Sequence, residues 1–183
     1  MTLRDVAGDV IRRQEPAQAH HAIWAERAEL LRTDRLTGLR NRLGWDEALD
    51  EAMFSASRYG APLIVARIDL DSSSHRAATS SATTDVPRQQ PLVSFAGRAR
   101  KVVRTGDLFA RLDGDVLVVA LSRCPAPMAA NILERIRTSV ADQPCSVGWT
   151  VWNGQDSPQV LMERAEQALS LAQERGGNQV AQV

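Results

Sequence analysis

Cysteine is scarce: Cys124 and Cys145 are the only two in 183 residues, and their spacing is neither CxxC nor that of a metal site. They read as core or near-surface thiols in a reducing compartment. No apolar run is long enough to cross a bilayer as a helix. The first 20 residues are polar, carry Arg4, Arg12, Arg13 and Glu15, and lack the apolar region of a signal peptide. The expected location is the cytoplasm. Net charge is absent too, since 22 Lys plus Arg balance 22 Asp plus Glu. The whole chain therefore has no general pull on nucleic acid or anionic lipid, and neither nucleic-acid binding nor membrane insertion is expected. A local basic patch stays open. Of the three histidines, His20 and His21 are adjacent and cannot share a helix face, and His75 sits in a polar stretch. A histidine metal site is not expected, and no cofactor is. Trp24, Trp45, Trp149 and Trp152 read as core or contact aromatics, with Trp152 the best exposed candidate for a partner protein.

What is present is a regular alternation of helical and strand patterns. A leader helix is expected from 17 to 32, where Trp24, Ala28 and Leu31 form a stripe that could pack on the domain or on a second copy in a homodimer. A second helix carries Leu43, Ala48, Leu49 and Met53 to a stop near Gly60. "LIVARIDL" at 63–70 reads as a central strand, and the head of Arg67 within it needs a partner or solvent. Residues 72–90 read as a loop rich in Ser and Thr. A helix over 92–103 buries Leu92, Phe95, Ala99 and Val102. The Asp113-Gly114 pair marks a hairpin over 109–121. A helix over 126–140 offers Met128, Ile132, Leu133, Ile136 and Val140 to the core. A strand over 145–152 follows, then a helix over 158–175 with Val160 and Leu161 inward and Gly176-Gly177 as its C-cap. "NQVAQV" adds a short edge strand. This order predicts an α/β sandwich around a mixed sheet.

The motifs in this frame resemble the GGDEF domain, the diguanylate cyclase fold. "DRLTGLRNR" at 34–42 is similar to D-x-L-T-G-L-x-N-R, and "PLIVARIDLD" at 62–71 to the first strand ending in D-I-D. "RTGDLFARLDGDVLVVAL" at 104–121 resembles R-x-x-D-x-x-x-R-x-G-G-D-E-F with its strand. "ILERIR" at 132–137 and "RAEQALSLAQERGGNQV" at 164–180 resemble A-E-R-I-R and R-A-D-x-A-L-Y-x-A-K-x-x-G-R-N-x-V. Order and spacing hold over 34–180 apart from a short insertion between Asp71 and Arg104. The resemblance implies an α/β, nucleotidyl-cyclase-like mixed central sheet flanked by helices, with residues 1–33 as a helical leader and 34–183 as the domain.

The resemblance also implies a site for joining two GTP molecules, with metals held by acids at the first strand end and the hairpin. Asp69 and Asp115 match those acids as vestigial candidates. Other positions depart from the pattern. The signature glutamate is Val116, which can neither ligate a metal nor accept a proton. The first signature glycine is Asp113, a like charge where phosphates approach. Ser73-Ser74, Ala77 and Gln173 replace the family's phosphate-facing lysine, guanine-reading asparagine and second cation. The expectation on these grounds is a degenerate, catalytically inactive domain: not an enzyme, with no catalytic residue.

Arg104 and Asp107 match the family's R-x-x-D inhibitory site for cyclic di-GMP, and Arg135 falls on the arginine that assists it. Guanidinium donors suit guanine O6 and N7 or a phosphate, and the aspartate suits guanine N–H groups. Arg98, Arg100 and Lys101 add local positive charge. The expected role is a cyclic di-GMP receptor acting through an unidentified signalling or output protein. Two alternatives stay open: a ligand-independent interaction or scaffold module, and a GTP-binding regulator without cyclase turnover. Arg104 and Asp107 could also be a plain ion pair or helix cap.

Overall fold

The computed structural model describes residues 27–71, 86–139 and 143–183. Of the leader helix expected over 17–32, residues 17–26 lie outside the described residues, and 27–31 are helical. Trp24, the three histidines, Ser73-Ser74, Ala77 and Val140 lie outside the described residues.

Asn41 opens α1 (Arg42–Tyr59) by accepting from the Gly44 N–H at 3.0 Å, and Gly60 closes it in the left-handed region at φ 62°. The Val/Ile-rich run that follows is β1 (Leu63–Leu70). Its side chains alternate between two faces. Ile64, Ala66 and Ile68 enter one core, and Leu63 and Val65 enter the other. Next come α2 (Val86–Ala99), β2 (Leu108–Arg111), β3 (Leu117–Ser122) and α3 (Ala126–Arg137). The chain ends with β4 (Cys145–Val151), α4 (Pro158–Glu174) and β5 (Val180–Gln182).

The sheet order is β2-β3-β1-β4-β5. β1 is central and antiparallel to β3 and β4, and β5 runs parallel to β4, so the sheet is mixed as expected. Trp45 and Leu49 of α1 and Leu161 and Ala165 of α4 cover one face. Leu92 and Phe95 of α2 and Leu133 and Ile136 of α3 cover the other. β4 and α4 meet closely at Gly148, where an added Cβ would lie 1.8 Å from the Leu169 nitrogen. Arg67 reaches across to an ion pair with Glu166 of α4, the partner its place in a central strand requires.

Several expectations change. α2 starts at Val86, inside the stretch read as loop, and ends at Ala99. Pro87 suits the first turn of a helix, where its missing N–H costs nothing. α3 stops at Arg137 because Thr138 turns its hydroxyl back to the Glu134 carbonyl at 2.8 Å. Met128 and Val160, read as core, are 54% and 40% exposed. Each lies in the first turn of its helix, where the buried stripe has barely begun. Trp152 is not an exposed contact residue. It is half-buried against the α1–α4 core and donates its indole N–H to the Asp156 carbonyl at 2.9 Å.

Candidate functional site

Arg104 and Asp107 lie in the turn between α2 and β2, beyond the helix end rather than closing it. Arg104 Nε donates to Asp107 Oδ1 at 3.2 Å, and Arg104 Nη2 donates to the Ser122 carbonyl at the end of β3. Asp107 Oδ1 also accepts from the Ser122 N–H at 3.1 Å. The Asp107 side chain is only 2% exposed, whereas that of Arg104 is 57% exposed. The aspartate therefore orients the guanidinium and the guanidinium faces solvent. A cleft of about 360 Å³ opens beside them, lined by Arg40, Arg100, Arg104 and Asp107 among others. Arg135 is exposed on α3 and is not among the residues lining this cleft.

The motif at 34–42 is a structural clasp. Asp34 accepts from the Thr37 N–H and hydroxyl at 2.9 and 2.7 Å, and its Oδ2 pairs with Arg111 Nη1 at 3.2 Å. Burial pushes the Asp34 carboxyl up, but the Thr37 hydrogen bonds and the Arg111 charge outweigh it and hold the group below its ordinary value. Gly38 takes φ 67°, which lets the chain turn back so that Arg40 bridges Ala110 of β2. Arg111 also donates to the Gly114 carbonyl at 2.8 Å, linking the clasp to the hairpin turn. That turn is longer than a two-residue Asp-Gly turn. Leu112 N–H donates to the Val116 carbonyl at 3.0 Å, and Gly114 adopts φ 52°.

Asp69 and Asp115 both lie past the last β1–β3 pair, Ile68 with Leu117, at the same end of the sheet. Asp69 Oδ2 accepts from Gln173 Nε2 at 2.9 Å, so the residue in place of the family's cation holds the acid by an amide. Asp71 accepts from the Ser146 hydroxyl at 2.6 Å and the Asn178 N–H at 2.5 Å, which ties it into the C-terminal loop. Asp115 is exposed in the turn, and Val116 is half-buried against the α1–α4 core. Asp113 pairs with Arg42. Among the described residues no three His, Cys, Asp or Glu side chains gather to hold a metal. Asp69 and Asp115 alone are a partial donor set for a divalent cation.

Sequence reasoning singled out Arg104 and Arg100 but missed Arg40 in the same cleft. Its only signal was a charged residue at the variable position of "TGLRNR". Among the described residues no helix is long and apolar enough to cross a membrane.

A five-stranded mixed sheet with two helices on each face, a clasp before α1 and a hairpin beside β1 define a nucleotidyl-cyclase-like domain. The chain belongs to the family described as "Diguanylate cyclase, GGDEF domain", whose model matches residues 31–179. It is 30% identical over 174 residues to diguanylate cyclase DgcP of Pseudomonas aeruginosa, covering 89% of this chain. The chain spans only 26% of the length of that relative. The GGDEF domain of DgcB from Caulobacter crescentus, solved in complex with c-di-GMP, is 26% identical and superposes with a TM-score of 0.75. That match covers 83% of this chain and 93% of the solved one. The coiled coil and GGDEF domain of the same protein, also with c-di-GMP, has 24% identity and a TM-score of 0.82 over 100% of both chains. These findings correct the expectation that the chain is not an enzyme. Its family and its relative DgcP are named for an enzyme activity.

Proposed function

We propose that this GGDEF domain, a member of the cyclic di-GMP signalling family, binds cyclic di-GMP through Arg104 and passes the signal to a partner protein. The observation that carries this reading is the Arg104–Asp107 pair. A nearly buried carboxylate and a backbone carbonyl fix two nitrogens of a guanidinium that remains 57% exposed. A guanidinium held in this way binds a phosphodiester or a guanine edge with less ordering cost than a free one. Arg135 is the further cation in this reading, standing exposed on α3. The solved DgcB domain with c-di-GMP adds support, as a relative of the same fold.

Calorimetric titration of the chain with cyclic di-GMP tests the reading. Saturable binding is expected, lost in Arg104→Ala and weakened in Asp107→Ala, whose arginine is no longer held. Unchanged binding in Arg104→Ala would refute it.

A second reading, diguanylate cyclase turnover, is favoured by the family description and by Asp69 and Asp115 at one end of the sheet. Incubation with GTP and magnesium or manganese should then yield cyclic di-GMP, and Asp69→Ala should abolish it. No product from the wild-type chain under either metal sinks this second reading.

A further inference from the structure

The cleft beside Arg104 extends toward the leader. Three guanidinium groups line it, each from a separate stretch: Arg40 within the clasp, Arg100 just past the end of α2, and Arg104 in the turn before β2. Arg100 Nη1 donates to the Gly38 carbonyl at 3.3 Å, which joins two of these stretches. Among the described residues neither Arg40 nor Arg100 forms an ion pair. Glu29 of the leader helix and Thr33 just beyond it also line the cleft. Of the two acids in the lining, Asp107 is committed to Arg104 and Ser122, which leaves exposed Glu29 as the only other negative charge.

We propose that this cleft binds a phosphate-bearing ligand against Arg40, Arg100 and Arg104, with Glu29 of the leader helix opposing it. The proposal shares Arg104 with the cyclic di-GMP reading and extends that reading to a leader-dependent site. Guanidinium forks match phosphate oxygens and form charge-assisted hydrogen bonds. The carboxylate of Glu29 repels the same anion, so the seating of the leader sets the affinity. Linkage makes the effect mutual: a bound anion also alters how the leader sits.

Calorimetry on the full chain, with cyclic di-GMP and with pyrophosphate at fixed salt, separates the outcomes. Arg40→Ala and Arg100→Ala should each weaken binding about fivefold or more, and Glu29→Gln should tighten it about threefold. Arg100→Lys keeps the charge and should retain most of the affinity, and circular dichroism checks that each variant is folded. If cyclic di-GMP binding is lost in Arg104→Ala but unchanged in Arg40→Ala, Arg100→Ala and Glu29→Gln, the cleft is refuted and the cyclic di-GMP reading stands. If only pyrophosphate binds, and it weakens in both arginine variants, the cleft stands and the cyclic di-GMP reading falls. No saturable binding of either probe up to about 1 mM overturns both.

Discussion

Asp34 and Cys145 are two buried or half-buried acids whose environments act in opposite directions. Asp34 is held below its ordinary value of 3.8, so its ionised form stabilises the fold above that pH, and the gain is lost as pH falls through the lower folded value. Asp34→Asn should cost about 1–3 kcal/mol at pH 7, because Arg111 loses its charged partner. Urea denaturation should show that gap shrinking below pH 3.8. Burial pushes the Cys145 thiol up from 9.0 to about 12, with the Asp71 charge adding to it. The neutral thiol favours the fold below pH 9.0, and this contribution falls as pH rises from 9.0 toward 12, where only the unfolded chain ionises. Both cysteines are buried, so neither should react with a thiol reagent until denaturant is added. A thiol titration of the native chain checks this, and a fast-reacting cysteine would contradict it.

The contact of β4 with α4 depends on one missing methyl group. Gly148→Ala would set a Cβ 1.8 Å from the Leu169 backbone nitrogen and 2.4 Å from the Ala168 carbonyl carbon. Backbone cannot yield as a side-chain tip does, so a loss of about 3 kcal/mol or more is expected, read as a lower thermal midpoint. The order of the elements was legible in the sequence because each carries its own period. Residues 63–70 form an apolar run rich in Ile and Val, and α1 ends on a glycine in the left-handed region. The misplaced boundaries have local causes. The start of α2 hides in a polar stretch containing Pro87, and the end of α3 depends on a hydroxyl that turns back to its own helix. Motif spacing picked out Arg104 and Asp107, but not that one is buried and the other exposed. Nor could spacing bring Arg40 beside Arg100, because the sheet edge and the end of α2 meet only in three dimensions.

Two cores share one sheet, and β1 contributes alternate residues to each. A ligand held by the turn between α2 and β2 should therefore stabilise the whole domain rather than one side of it. At about 100 times its dissociation constant, cyclic di-GMP should add about 2.7 kcal/mol. For a chain of this length that is a rise of roughly 5–10 °C in thermal midpoint, absent in Arg104→Ala. A thermal shift assay reads it directly. The clasp that positions the cleft also covers a sheet margin. Arg40 accepts from the Arg111 N–H at 2.8 Å and donates to the Phe109 carbonyl at 3.4 Å, so β2 is already occupied on its outer side. At the opposite margin β5 has only 3 residues. Were the 34–40 turn to release, β2 would expose unpaired backbone groups to any neighbouring chain. The same loop that lines the cleft thus also occupies a strand edge on which another chain could otherwise build.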